Sequence, residues 1–201
     1  GDADGVVTGN TRRYGASLEK ITKVIDSRPG EIMFGLNMIV NKGKTVFVGD
    51  TSVHEYPSSE QLAEIAISSA RVVRLFGFNP KVAFVSHSTF GQPLTSRTKH
   101  IKNAVNILKE RNVDFKFDGD MQPDVALNDE YKELYPFSEI VGNANILIMP
   151  GQHSAAISYK MMRELGGAKV IGPLLIGLGQ PIEIAPLRSS TSDILNLASV
   201  A

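Results

Sequence analysis

Apolar residues, many of them β-branched, gather at residues 32–40, 45–48, 81–85, 113–117, 144–149 and 170–178. Runs of this length and composition predict strands. Between several of them, apolar positions recur every three to four residues, over 17–25, 59–76, 98–111 and 155–165, the spacing of helices with one buried side. Strands alternating with helices predict an α/β domain with a mixed, mostly parallel sheet covered on both faces.

The helix over 59–76 carries the clearest signals. It follows Pro57; Ser58 or Ser59 can cap free backbone N–H groups, and Glu60, Gln61 and Glu64 put polar groups in the first turns. Leu62, Ile65, Ala66, Ala70, Val73 and either Phe76 or Leu75 form the stripe expected to be buried. Gly77 ends the helix and Asn79-Pro80 turns the chain into the next strand. Gly166-Gly167 ends the helix over 155–165 in the same way. No repeat, low-complexity tract or linker interrupts this order.

Composition excludes several classes of function. The 201 residues can bury a substantial core, as one domain or two small lobes. Lys plus Arg balance Asp plus Glu at 21 each, so no overall basic field predicts nucleic-acid binding and any anion site must be local. The absence of cysteine removes disulfides, thiolate metal sites and cysteine nucleophiles, and fits a reducing, cytoplasmic compartment. No apolar run approaches the roughly 20 residues of a membrane span, so no membrane partner is expected. The opening Gly1-Asp2-Ala3-Asp4-Gly5 has neither an initiator Met nor a signal-peptide pattern, the expectation being a cytoplasmic piece of a longer chain.

Chemistry is expected where strands end, because ligands of open α/β sheets collect beyond the carboxyl ends of strands. The strand over 81–85 runs into Ser86-His87-Ser88-Thr89-Phe90-Gly91. Hydroxyls and backbone N–H groups there suit a phosphate or a thioester carbonyl, and suit equally a loop that satisfies its own backbone. Neighbouring Ser86 and His87 point to opposite sides of an extended chain, which disfavours a Ser–His hydrolase, and the chain has no Gly-x-Ser-x-Gly elbow. Near the start, a short apolar strand leads into Thr8-Gly9-Asn10-Thr11-Arg12-Arg13. The planar fork of arginine suits phosphate and makes this the best local anion site, although Arg12 and Arg13 can also be solvated or paired with Glu19 or Asp26.

Metal and dinucleotide patterns fail on spacing. Asp118, Asp120 and Asp124 cluster, but the twelfth position from Asp118 is Asp129 rather than Glu and Gly119 falls too early for a calcium loop. His54, His87, His100 and His153 form no i, i+4 pair, so no zinc site is expected. Gly177-Leu178-Gly179 lacks the third glycine of a dinucleotide fingerprint, Ile182 standing there, and Pro181 interrupts the helix that should follow.

Four motifs together resemble the phosphate acetyltransferase family, in the same order along essentially the whole chain. They are Ala3-Asp4-Gly5-Val6-Val7-Thr8-Gly9, Ser58-Ser59-Glu60-Gln61-Leu62-Ala63-Glu64-Ile65-Ala66, Asp118-Gly119-Asp120-Met121-Gln122-Pro123-Asp124 and Ile171-Gly172-Pro173-Leu174-Leu175. The resemblance starts partway into the family's domain, implying that the N-terminal segment of that domain lies outside this sequence. Ser86-His87-Ser88-Thr89-Phe90-Gly91, Tyr135-Pro136-Phe137-Ser138, Met149-Pro150-Gly151-Gln152-His153-Ser154-Ala155 and Asp193-Ile194-Leu195-Asn196-Leu197-Ala198 are most similar to the version fused behind the catalytic domains of bacterial NADP-dependent malic enzymes. That similarity implies an isocitrate/isopropylmalate-dehydrogenase-like two-lobed fold, a homo-oligomer, and acetyl-CoA as ligand in the cleft between the lobes. It also implies that acetyl-CoA lowers malate oxidation in the fused catalytic domains. NADP and a divalent metal are expected only in those domains, outside these 201 residues.

Two motifs depart from the family. Gly151-Gln152-His153 replaces an Asp-Leu-Asn motif, while Tyr159-Lys160 remains. The family's Leu-Ser-Arg-Gly, whose Ser and Arg are linked to acetyl transfer, is replaced by Ala185-Pro186-Leu187-Arg188, so that Pro186 and Leu187 take the Ser and Arg positions. Asp193 matches the family's proposed base for the CoA thiol, and Arg188 stands one position beyond the lost arginine. Removing preorganised charge-stabilising donors costs roughly 10²- to 10³-fold in rate for each. The resemblance therefore implies acetyl-CoA binding without transfer, at a site lined by Thr8, Thr11, Arg12, Ser86, His87, Ser88, Thr89 and Gly91, with Arg188 and Asp193 near the thioester end. The alternative it leaves is an active phosphate acetyltransferase.

Overall fold

The structure is a computed structural model that describes residues 3–201. These residues form β1 (Val6–Gly9), α1 (Tyr14–Ile21), β2 (Phe34–Asn41), β3 (Lys44–Gly49), α2 (Ser59–Leu75), β4 (Lys81–Val85), α3 (Ser96–Glu110) and β5 (Lys116–Met121). There follow α4 (Pro123–Leu127), α5 (Asp129–Lys132), β6 (Ile146–Ile148), α6 (Gln152–Gly166), β7 (Lys169–Ile176), β8 (Ile182–Ala185) and α7 (Thr191–Ala198).

Six strands make one sheet in the order β5-β4-β6-β3-β2-β7. Pairing is parallel from β5 to β3, and β2 runs antiparallel to both of its neighbours. β1 and β8 form a second, parallel pair, with Val6 opposite Ile182 and Gly9 opposite Ala185. The fold is thus mixed α/β with a mostly parallel sheet and a separate small sheet, as expected.

The near-continuous apolar strands follow from burial on both faces. Val82 and Phe84 of β4 enter the core beneath α2 and α3, while Ala83 and Val85 enter the core on the opposite face with Val125 and Ala155. A third cluster joins β8 to α1 through Ile182, Ile184, Leu18 and Ile21. Each fully buried Leu, Ile or Phe in these clusters stabilises the fold by about 1.5–3 kcal/mol before the entropy of ordering is counted.

α2 matches its prediction closely. Ser58 accepts from Gln61 N–H while the Gln61 side chain accepts from Ser58 N–H, which satisfies two of the end groups. Its stripe ends on Phe76, whose ring lies 5.6 Å from that of Phe47, whereas Leu75 is 83% exposed.

Elsewhere the structure corrects the prediction. The strand expected at 113–117 lies at Lys116–Met121, because pairing with β4 runs on through Asp118 and Gly119 to Met121. The carboxylates inside this strand have partners on other segments: Asp118 accepts from Glu139 N–H, and Asp120 from Gly91 N–H. β8 and α7 were not predicted, and the span over 170–178 ends as a strand at Ile176. Gly177 follows in the left-handed region at φ 91°, where an added Cβ would lie 2.1 Å from the Ile32 carbonyl oxygen. That glycine serves a close backbone crossing, and so delivers the chain into β8.

Candidate functional site

β8 ends at Ala185, and the next residues form a tight turn that opens α7. Ser189 donates its N–H (3.2 Å) and its Oγ–H (2.8 Å) to the Pro186 carbonyl, with Arg188 in the left-handed region at φ 63°. Ser190 then caps α7 and exchanges hydrogen bonds with Asp193 in a reciprocal box.

This turn faces the start of α1, one side of α6 and the beginning of β7 across a cleft of about 670 Å³. That volume suits a ligand of drug or cofactor size. Arg13 and Tyr14 come from α1 and its cap, Tyr159, Lys160 and Arg163 from α6, Lys169 from β7, and Arg188 and Asp193 from the turn and α7. Arg163 pairs with Glu164 at 2.8 Å, and Lys160 sits 5.8 Å from the Tyr159 ring centre. Among the described residues Arg13, Lys160, Lys169 and Arg188 have no carboxylate partner. Four uncompensated cations facing one carboxylate give the cleft a positive potential that a neutral chain does not otherwise supply.

Three groups in the cleft have displaced proton affinities, one of them the Tyr159 phenol, which burial pushes up. The Asp193 carboxyl is held below its ordinary range, first by the N–H of Ser190 and then by its hydroxyl, with Arg163 and Lys169 adding to the effect. Burial pushes the Tyr14 phenol up, so it stays protonated in the cleft wall, where its oxygen accepts a 3.4 Å contact from Ser52. Behind Ser52, the buried Asp50 accepts from the backbone of Gly35, Ser52, Val53 and His54 and from His54 Nδ1. That carboxylate organises the loop after β3 and is fully engaged in doing so.

The residues predicted from sequence separate into three places. Arg188 and Asp193 line the cleft. Thr8, Thr11 and Arg12 line a distinct recess of about 320 Å³ with Ser17 and Lys20, so adjacent Arg12 and Arg13 serve different recesses. Neither arginine pairs with Glu19 or Asp26; Glu19 bonds Lys23 at 2.8 Å. The loop 86–91 lines neither recess. Ser86, Ser88, Thr89 and Gly91 are buried and His87 is exposed. Ser88 Oγ donates to Asp120, Ser86 Oγ accepts from Ser88 N–H, and Thr89 Oγ1 accepts from Gln122 N–H. Those hydroxyls satisfy their own loop, and the expected single wall containing Thr8, Arg12 and Ser86 is not formed. Sequence reasoning missed Tyr159, Lys160, Arg163 and Lys169 as a group. The available signal was the helical spacing of 152, 156, 159, 160 and 163, which share one side of α6.

The family model for phosphate acetyl/butaryl transferase matches residues 1–201. The chain belongs to the phosphate acetyl/butaryl transferase family. It is 48% identical to an NADP-dependent malic enzyme of Rhizobium meliloti (strain 1021), over all of this chain and 26% of that protein. It is 34% identical to the phosphate acetyltransferase of Clostridium acetobutylicum, again over the whole chain and 63% of that protein. A crystal structure of a phosphotransacetylase from Streptococcus pyogenes superposes with a TM-score of 0.91 at 29% identity, covering 98% of this chain and 61% of that one. The chain thus spans about a quarter of such malic enzymes and under two thirds of such acetyltransferases. Among the described residues no helix is long and apolar enough to cross a membrane.

Proposed function

We propose that this member of the family binds acetyl-CoA in the cleft between the 186–189 turn, α1 and α6 and does not transfer its acetyl group. In a longer protein it regulates NADP-dependent malate oxidation by fused catalytic domains, within a homo-oligomer. The observation that carries the reading is the set of cations Arg13, Lys160, Lys169 and Arg188 without carboxylate partners in one cleft. A CoA ester brings several phosphate charges to such a set, and guanidinium groups pair with phosphate through two parallel N–H donors. Similarity to malic enzymes over the whole chain supports the regulatory setting.

Two features support binding without transfer. The exposed Leu187 and the half-buried Pro186 offer no donor to a carbonyl oxygen becoming negative. Asp193 is committed to capping α7 and its proton affinity is lowered, the wrong direction for a base that must take a proton from a thiol of ordinary pKa ~8.5. One observation favours the second reading, an active phosphate acetyltransferase: the guanidinium of Arg188 lines the same cleft as Asp193.

The test uses the full-length protein. Acetyl-CoA should bind saturably by calorimetry, acetyl phosphate plus CoA should yield no acetyl-CoA above background, and acetyl-CoA should lower the rate of malate oxidation. Appreciable acetyl-CoA formation overturns the non-transferring reading in favour of the second. A malate oxidation rate indifferent to saturating acetyl-CoA removes regulation, because regulation requires unequal affinity for two states.

A further inference from the structure

A second cavity, of about 370 Å³, lies between the C-terminal half of α2, the β7–β8 connection and the segment after α7. It shares no lining residue with the cleft. Its wall is largely apolar: Val72 and Phe76 come from α2 and its end, Leu175 and Leu178 from β7 and the turn beyond it, and Pro181 and Ile182 from the entry to β8. Such a volume and lining suit a small ligand. One polar group is buried in that wall. Glu183 is 4% exposed and its Oε2 accepts from Leu175 N–H at 3.0 Å, while Oε1 has no partner among the described residues. Burial raises this carboxyl to about 8, so near neutral pH it is an acid whose O–H finds no acceptor within the chain. A buried donor without an acceptor is destabilising, and a ligand that supplies the acceptor recovers that loss.

We propose that this cavity is a second ligand site, for a small, uncharged, mostly apolar molecule whose carbonyl oxygen accepts the Glu183 O–H. The apolar wall takes the body of the ligand, and the single buried donor fixes its orientation. The charges nearby disfavour an ammonium compound. Arg28 and Arg71 both line the cavity, and Glu31, held by Arg71 through both terminal nitrogens at 2.7 and 2.8 Å, offsets only one of them. Tyr14 of α1 feels the charge of Glu183, but burial keeps its phenol protonated. The inference stands on the cavity and its buried acid and does not depend on what the cleft binds.

The test uses the full-length protein and fluorine NMR of 4-fluoroacetophenone, with 1-ethyl-4-fluorobenzene as a probe of similar shape lacking the oxygen. The ketone should bind saturably near neutral pH and the hydrocarbon roughly tenfold more weakly. Affinity for the ketone should fall about tenfold between pH 7.5 and 9, as the Glu183 proton is lost. Glu183→Gln keeps an N–H donor in that place, so it should bind within about threefold of wild type and lose the pH dependence. Val72→Phe extends a ring into the cavity from α2 and should remove binding. Saturating acetyl-CoA should leave the ketone bound, since cavity and cleft are lined by different residues. No saturable binding, equal affinity for the two probes, a pH dependence that is absent in wild type or survives Glu183→Gln, indifference to Val72→Phe, or displacement by acetyl-CoA overturns the proposal. Far-ultraviolet circular dichroism confirms that each variant is folded before it is scored.

Discussion

Replacing Glu183 with glutamine should stabilise the protein near neutral pH and do little in acid. Glu183 lies in β8, is 4% exposed, and its side chain accepts one hydrogen bond, from Leu175 N–H at 3.0 Å. Burial raises its carboxyl from 4.5 to about 8, and the single N–H donor only partly offsets this. The sign follows from proton binding. Below pH 4.5 both folded and unfolded chains hold the proton and the fold is unpenalised. Between 4.5 and about 8 the folded chain keeps a proton that the unfolded chain releases, so stability falls as pH rises and levels off above 8. At ~1.4 kcal/mol per pH unit the penalty is about 3 kcal/mol at pH 7. The Glu183→Gln side chain would keep an acceptor for Leu175 N–H and carry no charge. Urea unfolding of both proteins at pH 5, 7 and 8.5 should show a difference that grows with pH, equivalent at pH 7 to about 6–12 °C in Tm. A difference independent of pH, or a variant less stable than the wild type at pH 7 and above, would refute the reasoning by showing that the folded state holds Glu183 ionised and paired.

Other elements make separate predictions. Asp120→Ala removes the acceptor of Ser88 Oγ–H and Gly91 N–H inside a buried loop, and should cost about 2–4 kcal/mol in urea unfolding. Because that loop does not line the cleft, acetyl-CoA affinity should be unchanged in the folded variant. Gly177→Ala forces a Cβ against the Ile32 carbonyl at a left-handed position and should lower the yield of folded protein sharply or cost about 3 kcal/mol or more, measured by thermal unfolding. Asp193→Ala breaks the capping box of α7 and should cost about 1 kcal/mol while leaving acetyl-CoA binding within about threefold by calorimetry. A large loss of binding would make Asp193 a ligand contact.

How much was legible varied with how many local signals agreed. α2 was readable to within a residue because Ser58, the Leu62-to-Phe76 stripe and Gly77 all point to one element. β5 was misplaced because its pairing register runs through Asp118 and Asp120, carboxylates whose partners lie on other segments and leave no trace in local sequence. β8 escaped notice for a related reason, a four-residue strand with a glutamate inside it, and α7, opened by the Ser190–Asp193 capping box, escaped it as well. At the site, the arginine-rich turn and Arg188 were visible as phosphate-suited residues, but which arginine faces which recess depends on how the chain enters α1. Lys160 and Lys169 are ordinary surface lysines until the fold brings α6 and β7 beside the 186–189 turn. The hydroxyls of 86–91 had the right chemistry for a ligand, and Asp120, about 30 residues on, turns Ser88 inward.

The most direct test of the cleft as an acetyl-CoA site is calorimetric titration of the full-length protein beside Arg13→Ala/Arg188→Ala and Arg12→Ala variants at low ionic strength. Removing the two cleft cations should weaken binding about 100-fold, with the loss shrinking as salt is added, and Arg12→Ala should change it little. Equal affinity for wild type and the double variant, or a loss confined to Arg12→Ala, would contradict the account and move the ligand to the recess beside α1 (Tyr14–Ile21).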